Sequence, residues 1–284
     1  MIKRITEIGV VVKDLSSSGD RLHKILGARG GTVLKAQEYG MVAQMFRIGN
    51  IEFELMEPAN QDGLIAQFLE KRGEGLHHIA FEVEDITDSI NWIKKNNVKI
   101  INEQPVSVDD LKAAFLHPES FGGALIELIE GTPKHVDNRP LPRKLQTRAQ
   151  GEGVGSEGIL EVGILVKDIE SASSMYSKIF LSENSEIMDS EQFSLRMRDC
   201  KIENVNLKLL EMNKVHGHSN ALFGQDQIGL NYVTLKVKNI QKAIAYLQQK
   251  GVSFDEEPLA NFYDSKYIFI HPEELSGIPI FLKE

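Results

Sequence analysis

The chain has 284 residues, 42% hydrophobic and 26% charged, a balance that supports packed cores and has room for two domains of ordinary size. No apolar run approaches the roughly 20 residues of a membrane-spanning helix. The net charge of -9 speaks against a nucleic-acid scaffold, and the single cysteine, Cys200, excludes an intramolecular disulfide or a Cys-based zinc site.

Met1-Ile2-Lys3-Arg4 runs straight into a strand-like stretch without the apolar core of a signal peptide, so a reducing cytoplasm is the expected location. Helical spacing of apolar residues predicts helices over 16–27, 86–96, 170–180 and 240–250, with Ile86, Ile90 and Ile93 as an example. In the first quarter, strand-like runs follow near 31–37, 41–48 and 51–57. In the second they lie near 98–102, 111–117 and 123–130, and segment 62–72 reads as a connecting helix. The stretch from Gly131 to Glu157 holds three of the nine prolines and shows no period, which marks a linker between domains 1–131 and 157–284, over residues 132–156.

The two sides repeat each other. Ile5–Asp14 answers Ile159–Asp168 at an offset of 154, and the same offset maps Gly75-Leu76 onto Gly229-Leu230 and His117-Pro118-Glu119 onto His271-Pro272-Glu273. This is a tandem duplication. Each half is doubled again, since Val10–Leu15 resembles Phe81–Ile86, so the unit is a strand, a helix and three strands, present four times.

Four polar side chains interrupt apolar strands of the first half: Glu7, Glu54, His78 and Glu127. They fall on the first and last strands of their units, which a curved sheet would bring to one concavity. Three carboxylates and an imidazole gathered there would repel one another unless a cation neutralised them. Oxygen donors with one histidine suit a hard or borderline divalent ion more than a structural zinc. His77, beside His78, is expected to face the other way. His216 and His218 read as loop residues, Lys71 and Arg72 as a solvated face, and Trp92 as core.

The segments MIKRITEIGVVVKDL, EGLHHIAFEVEDI and FLHPESFGGALIELIE resemble the vicinal oxygen chelate (glyoxalase/bleomycin resistance/dioxygenase) superfamily, and within it methylmalonyl-CoA epimerases most closely. The resemblance implies an α+β fold of four βαβββ modules forming two cupped mixed sheets. It implies one divalent ion per chain (Co, Mn, Ni, Mg, Fe or Zn), held by Glu7, Glu54, His78 and Glu127. Glu7 stands where the epimerases carry a histidine. Glu127 would also move a proton at the carbon next to a carbonyl. Gln44, not itself a base, is the polar residue where some epimerases carry the opposing catalytic group. His117 and Lys112 are candidate contacts to an acyl-CoA. The implied activity is epimerisation or isomerisation of a small acyl-CoA or similar carbonyl compound. The alternatives are a glyoxalase-type isomerase or lyase, and a metal-free small-molecule-binding or resistance protein. No nucleic-acid or membrane partner is expected, and the chain would be a monomer with an internal pseudo-dimer, or a homodimer. At the offset of 154 the four ligand positions become Glu161, Lys208, Tyr232 and Phe281, so the second half reads as a degenerate copy. Only sequential pairing of the modules, first with second, would assemble all four first-half positions.

Overall fold

The computed structural model describes residues 2–36, 39–108, 111–131, 153–191, 194–212, 227–256 and 266–284. Most of the expected linker and the His216–His218 stretch lie outside the described residues.

The first half runs β1 (Ile2–Val11), α1 (Leu15–Leu26), β2 (Arg29–Ala36), β3 (Met41–Ile48), β4 (Ile51–Pro58), α2 (Leu64–Arg72), β5 (Gly75–Val83), α3 (Ile86–Lys95), β6 (Val106–Val108), β7 (Leu111–Leu116) and β8 (Leu125–Glu130). Its strands form one eight-stranded mixed sheet in the order β2-β3-β4-β1-β5-β8-β7-β6. Within it β1 pairs in parallel with β4, and β5 with β8. The two modules of the first half therefore join through β1 and β5, which is the sequential pairing.

The second half repeats this order: β9 (Ser156–Val166), α4 (Ile169–Phe180), β10 (Glu183–Asn184), β11 (Met188–Ser190), β12 (Leu195–Ile202), β13 (Val205–Met212), β14 (Gly229–Val237), α5 (Ile240–Lys250), β15 (Phe254–Glu256), β16 (Tyr267–Ile270) and β17 (Ile280–Lys283). The sheet order is β10-β12-β13-β9-β14-β17-β16-β15, with β11 added on β12.

The repeated strand-to-helix motif is a repeated cap. Asp14, Asp85, Asp168 and Asn239 each accept a hydrogen bond from the backbone N–H three residues on, at 2.6–2.8 Å. A second carboxylate closes each start. Glu57, Glu130, Glu211 and Glu284, at the end of each module's last strand, accept from the N–H of Leu15, Ile86, Ile169 and Ile240 at 2.7–3.1 Å. The positive ends of the first three of these helices thus face two acidic groups and that of the fourth an amide oxygen and one carboxylate, a favourable arrangement for their exposed amides.

One expected strand is corrected. Residues 98–102 form only an isolated bridge, Ile100 to Leu116, and the hairpin partner of β7 is Val106–Val108. The Asn102 side chain takes the N–H of Phe115 at 2.7 Å, in place of a neighbouring strand's carbonyl. Trp92 is corrected as well: it is 44% exposed and does not belong to the core.

The described residues also gather into two compact units that cut across the sequence halves. One contains residues of Met1–Thr6, His78–Lys134 and Leu160–Tyr232, the other residues of Glu7–His77, His135–Ile159 and Val233–Glu284. In the first, Phe81 and Phe121 stack on Phe180 with ring centroids 4.8 and 5.1 Å apart. Tyr176 packs on Phe121 and donates its hydroxyl hydrogen to the Phe121 carbonyl at 3.3 Å. All four rings are buried. In the second, the buried Ser18 and Ser276 hydroxyls meet at 2.8 Å, and Tyr246 donates to the Lys24 carbonyl at 2.7 Å. Each unit draws on both halves. Gly122 makes one of these contacts possible: its φ is +67°, and a Cβ there would lie 2.5 Å from Val166 Cγ1. Gly122→Ala should therefore destabilise the protein by about 2–4 kcal/mol, from backbone strain and overpacking together. A downward shift in the urea midpoint would report it.

Candidate functional site

The middle strands of the eight-stranded sheet carry the four polar residues singled out in the sequence: Glu7 on β1, Glu54 on β4, His78 on β5 and Glu127 on β8. All four are buried, none more than 9% exposed. Glu7, Glu54 and His78 each offer one ligand atom within 4.8 Å of the others. Glu127 Oε2 lies 3.2 Å from His78 Nε2. The structure thus brings Glu7, Glu54 and His78 together and sets Glu127 against the His78 imidazole.

The flanks are apolar. Met45 stands directly across from Glu54, and Phe115 across from Glu127. The Phe115 ring meets His78 edge-on, with centroids 5.8 Å apart. Buried carboxylates in such surroundings are costly without protons or a cation to offset them. Two carboxylates and one imidazole within 4.8 Å of one another form a donor set that fits a divalent metal with oxygen preference.

The other expected site residues lie elsewhere. Gln44 pairs with Leu55, the neighbour of Glu54, so its side chain points to the opposite face of the sheet. There its Nε2 donates to the Gly31 carbonyl at 2.9 Å. Lys112 pairs with Glu130, three positions along the β7–β8 ladder from Phe115 and Glu127 and so on the opposite face, and its ammonium binds Glu130 at 2.7 Å. That bond holds the Lys112 pKa above its ordinary value. His117 is half-exposed and caps the short helix Pro118–Phe121, its Nδ1 accepting from the Glu119 N–H at 3.3 Å. His77 packs edge-on against Phe68, and the Arg72 guanidinium lies over that same ring.

A second acidic group, Asp168, Glu170 and Glu211, also falls within metal-ligand reach. Its members have other duties. Asp168 and Glu211 cap α4, and Glu170 is paired with Arg196. Cys200 is buried, and burial pushes its thiol up to about 12. It should stay unmodified by a thiol reagent in the folded protein and react fully in denaturant.

The glyoxalase/bleomycin resistance protein/dioxygenase superfamily is matched twice, by one family model over residues 6–115 and by another over residues 158–281. The chain belongs to this superfamily. Human mitochondrial methylmalonyl-CoA epimerase is 32% identical over 127 residues, 44% of this chain and 72% of that protein. The ethylmalonyl-CoA/methylmalonyl-CoA epimerase of Cereibacter sphaeroides is 31% identical over 131 residues, 45% of this chain and 98% of that one. Among solved structures, a mutant of 4-hydroxymandelate synthase from Streptomyces coelicolor superposes on the whole chain and on 93% of its own length, with a TM-score of 0.75. Its sequence identity is 16%, so it shares the fold: two superfamily domains in tandem. The epimerase relatives correspond to the first half, the half that carries the buried quartet.

Proposed function

We propose that the first half is a divalent-metal-dependent epimerase or isomerase that moves a proton at the carbon next to the carbonyl of an acyl-CoA or similar thioester. The observation that carries this reading is the buried cluster of Glu7, Glu54 and His78 with Glu127 against the imidazole. The epimerases of similar sequence support the substrate class.

Glu7, Glu54, His78 and Glu127 would hold the ion. When bound, it would polarise the substrate carbonyl and so acidify the neighbouring C–H. Glu127, whose carboxylate lies 3.2 Å from His78 Nε2, would take that proton. Met45 and Phe115 flank the cluster with apolar side chains. Gln44, turned to the other face, has no part in the step.

The test is deuterium wash-in. Metal-supplemented protein in D2O should place deuterium at the α-carbon of methylmalonyl-CoA or ethylmalonyl-CoA. Glu127→Gln should slow that exchange by about 10²–10⁴-fold, the usual contribution of a positioned acid or base. Metal-loaded wild-type protein that exchanges neither compound would sink the epimerase reading.

A further inference from the structure

The second half keeps the strand framework of the first but changes the chemistry at the matching positions. On β13, opposite Gly163 of β9, Lys208 stands where the first half has Glu54. It is 1% exposed, so its ammonium is removed from water. A lone buried ammonium is unfavourable. Here it sits between two carboxylates: Nζ is hydrogen-bonded to Asp199 and lies 3.4 Å from Glu161 Oε2. Glu161 is the counterpart of Glu7.

Two further groups complete the set. Tyr232, the counterpart of His78, donates its hydroxyl hydrogen to Glu161 Oε1 at 2.7 Å. Asn206 Nδ2 donates to Glu161 Oε2 at 3.1 Å and to Asp199 Oδ1 at 2.9 Å. The backbone makes room for this: a Cβ on Gly163 would lie 2.0 Å from Tyr232 Cε1. Burial works against the charge on Lys208, yet the Glu161 and Asp199 carboxylates hold its pKa above the ordinary ammonium value.

We infer that the Lys208 ammonium is the resident cation of the second half, seated among carboxylates where the first half would take a divalent ion, and that it makes this half independent of metal. The comparison with the first half rests on the metal reading proposed above; the charge arrangement rests on the contacts of the second half alone. The exchange is chemically consistent. A metal needs several lone pairs converging on a point, whereas an ammonium supplies three hydrogens and needs acceptors. Replacing a histidine by a tyrosine and a carboxylate by a lysine turns a ligand set into a closed hydrogen-bonded set. Asp199 and Asn206 also line a cavity of about 540 Å3, which gives small ions access to the Asp199 side of the set.

The test uses the full chain and Mn2+ alone, read by calorimetry or by the loss of the free Mn2+ paramagnetic signal. All variants carry His78→Ala, which silences the first half. That single variant should bind no Mn2+. Adding Lys208→Ala should create one site of about millimolar affinity or tighter, as expected for a small set of oxygen donors. Adding Glu161→Gln to that double variant should remove it. Where Lys208→Ala weakens the fold, a rise in melting temperature on adding Mn2+ reads the same event. A folded double variant that neither binds Mn2+ nor gains stability from it would overturn the inference. So would a His78→Ala protein that binds Mn2+ at a site lost with Glu161→Gln, because metal would then displace the native ammonium. Wild-type protein without any Mn2+ site would count against the first-half metal reading only, and the effect of removing Lys208 would still be read separately.

Discussion

Replacing His78 by alanine should reduce divalent-ion affinity by at least about 100-fold, since loss of groups merely supporting a metal's ligands already costs 10–100-fold. His78 is the nitrogen donor of the cluster, 2% exposed, and it also anchors Glu127 through the 3.2 Å contact. Its removal takes away one donor and loosens a second. Elemental analysis after purification with added metal should fall from about one ion per chain to a trace. The proton exchange proposed for the first half should fall with it. Tyr232→Ala, at the matching position of the second half, should leave the metal content unchanged. Stoichiometric metal retained in the His78 variant would show that the ion is held elsewhere.

The second large effect concerns stability. Phe180→Ala should destabilise the protein by about 3–5 kcal/mol, the usual cost of deleting a buried phenylalanine ring. For a chain of this size that corresponds to a melting temperature roughly 6–20 °C lower. The reason is that Phe180 touches two rings of the other sequence half, Phe81 and Phe121, and a small side chain leaves a cavity that both would line. The same contacts predict the outcome of separating the halves. A fragment of residues 1–150 would expose Phe81 and Phe121, which are 0% exposed in the full chain. It should self-associate or aggregate. A fragment that stayed monomeric, matched the full chain in stability and kept full activity would show that the second half is an independent module and not a buttress.

Much of the fold is legible in local sequence. The four aspartate or asparagine residues before apolar helical runs read directly as starts of helices, because a short polar side chain can satisfy the first free N–H groups. The matching glutamates at 57, 130, 211 and 284 escape such reading. They lie some 42–44 residues from the N–H groups they bind, and in sequence they look like ordinary polar ends of strands. The hairpin strand expected at 98–102 is displaced for a similar reason, since Asn102 competes for the backbone of β7 with a side chain whose reach only the folded hairpin defines. Exposed Trp92 shows the limit of composition: a large apolar residue on an amphipathic helix is not always on its inner stripe.

The duplication, the four helix starts and the four polar interruptions at Glu7, Glu54, His78 and Glu127 can be read from residue order alone. These are repeats and periodicities, encoded by residues close along the chain. Only the fold sets β1 beside β5 in one sheet, which gathers Glu7, Glu54 and His78 into a cluster with Glu127 against the imidazole. It also decided that Gln44 turns away from that cluster, and that Lys208 meets Asp199, a residue on the neighbouring strand with no ligand counterpart in the repeat. The physical reason is common to all three. Alternation along a strand says that a side chain faces one side or the other, whereas which groups it meets there depends on strand order and register, set by contacts between distant parts of the chain.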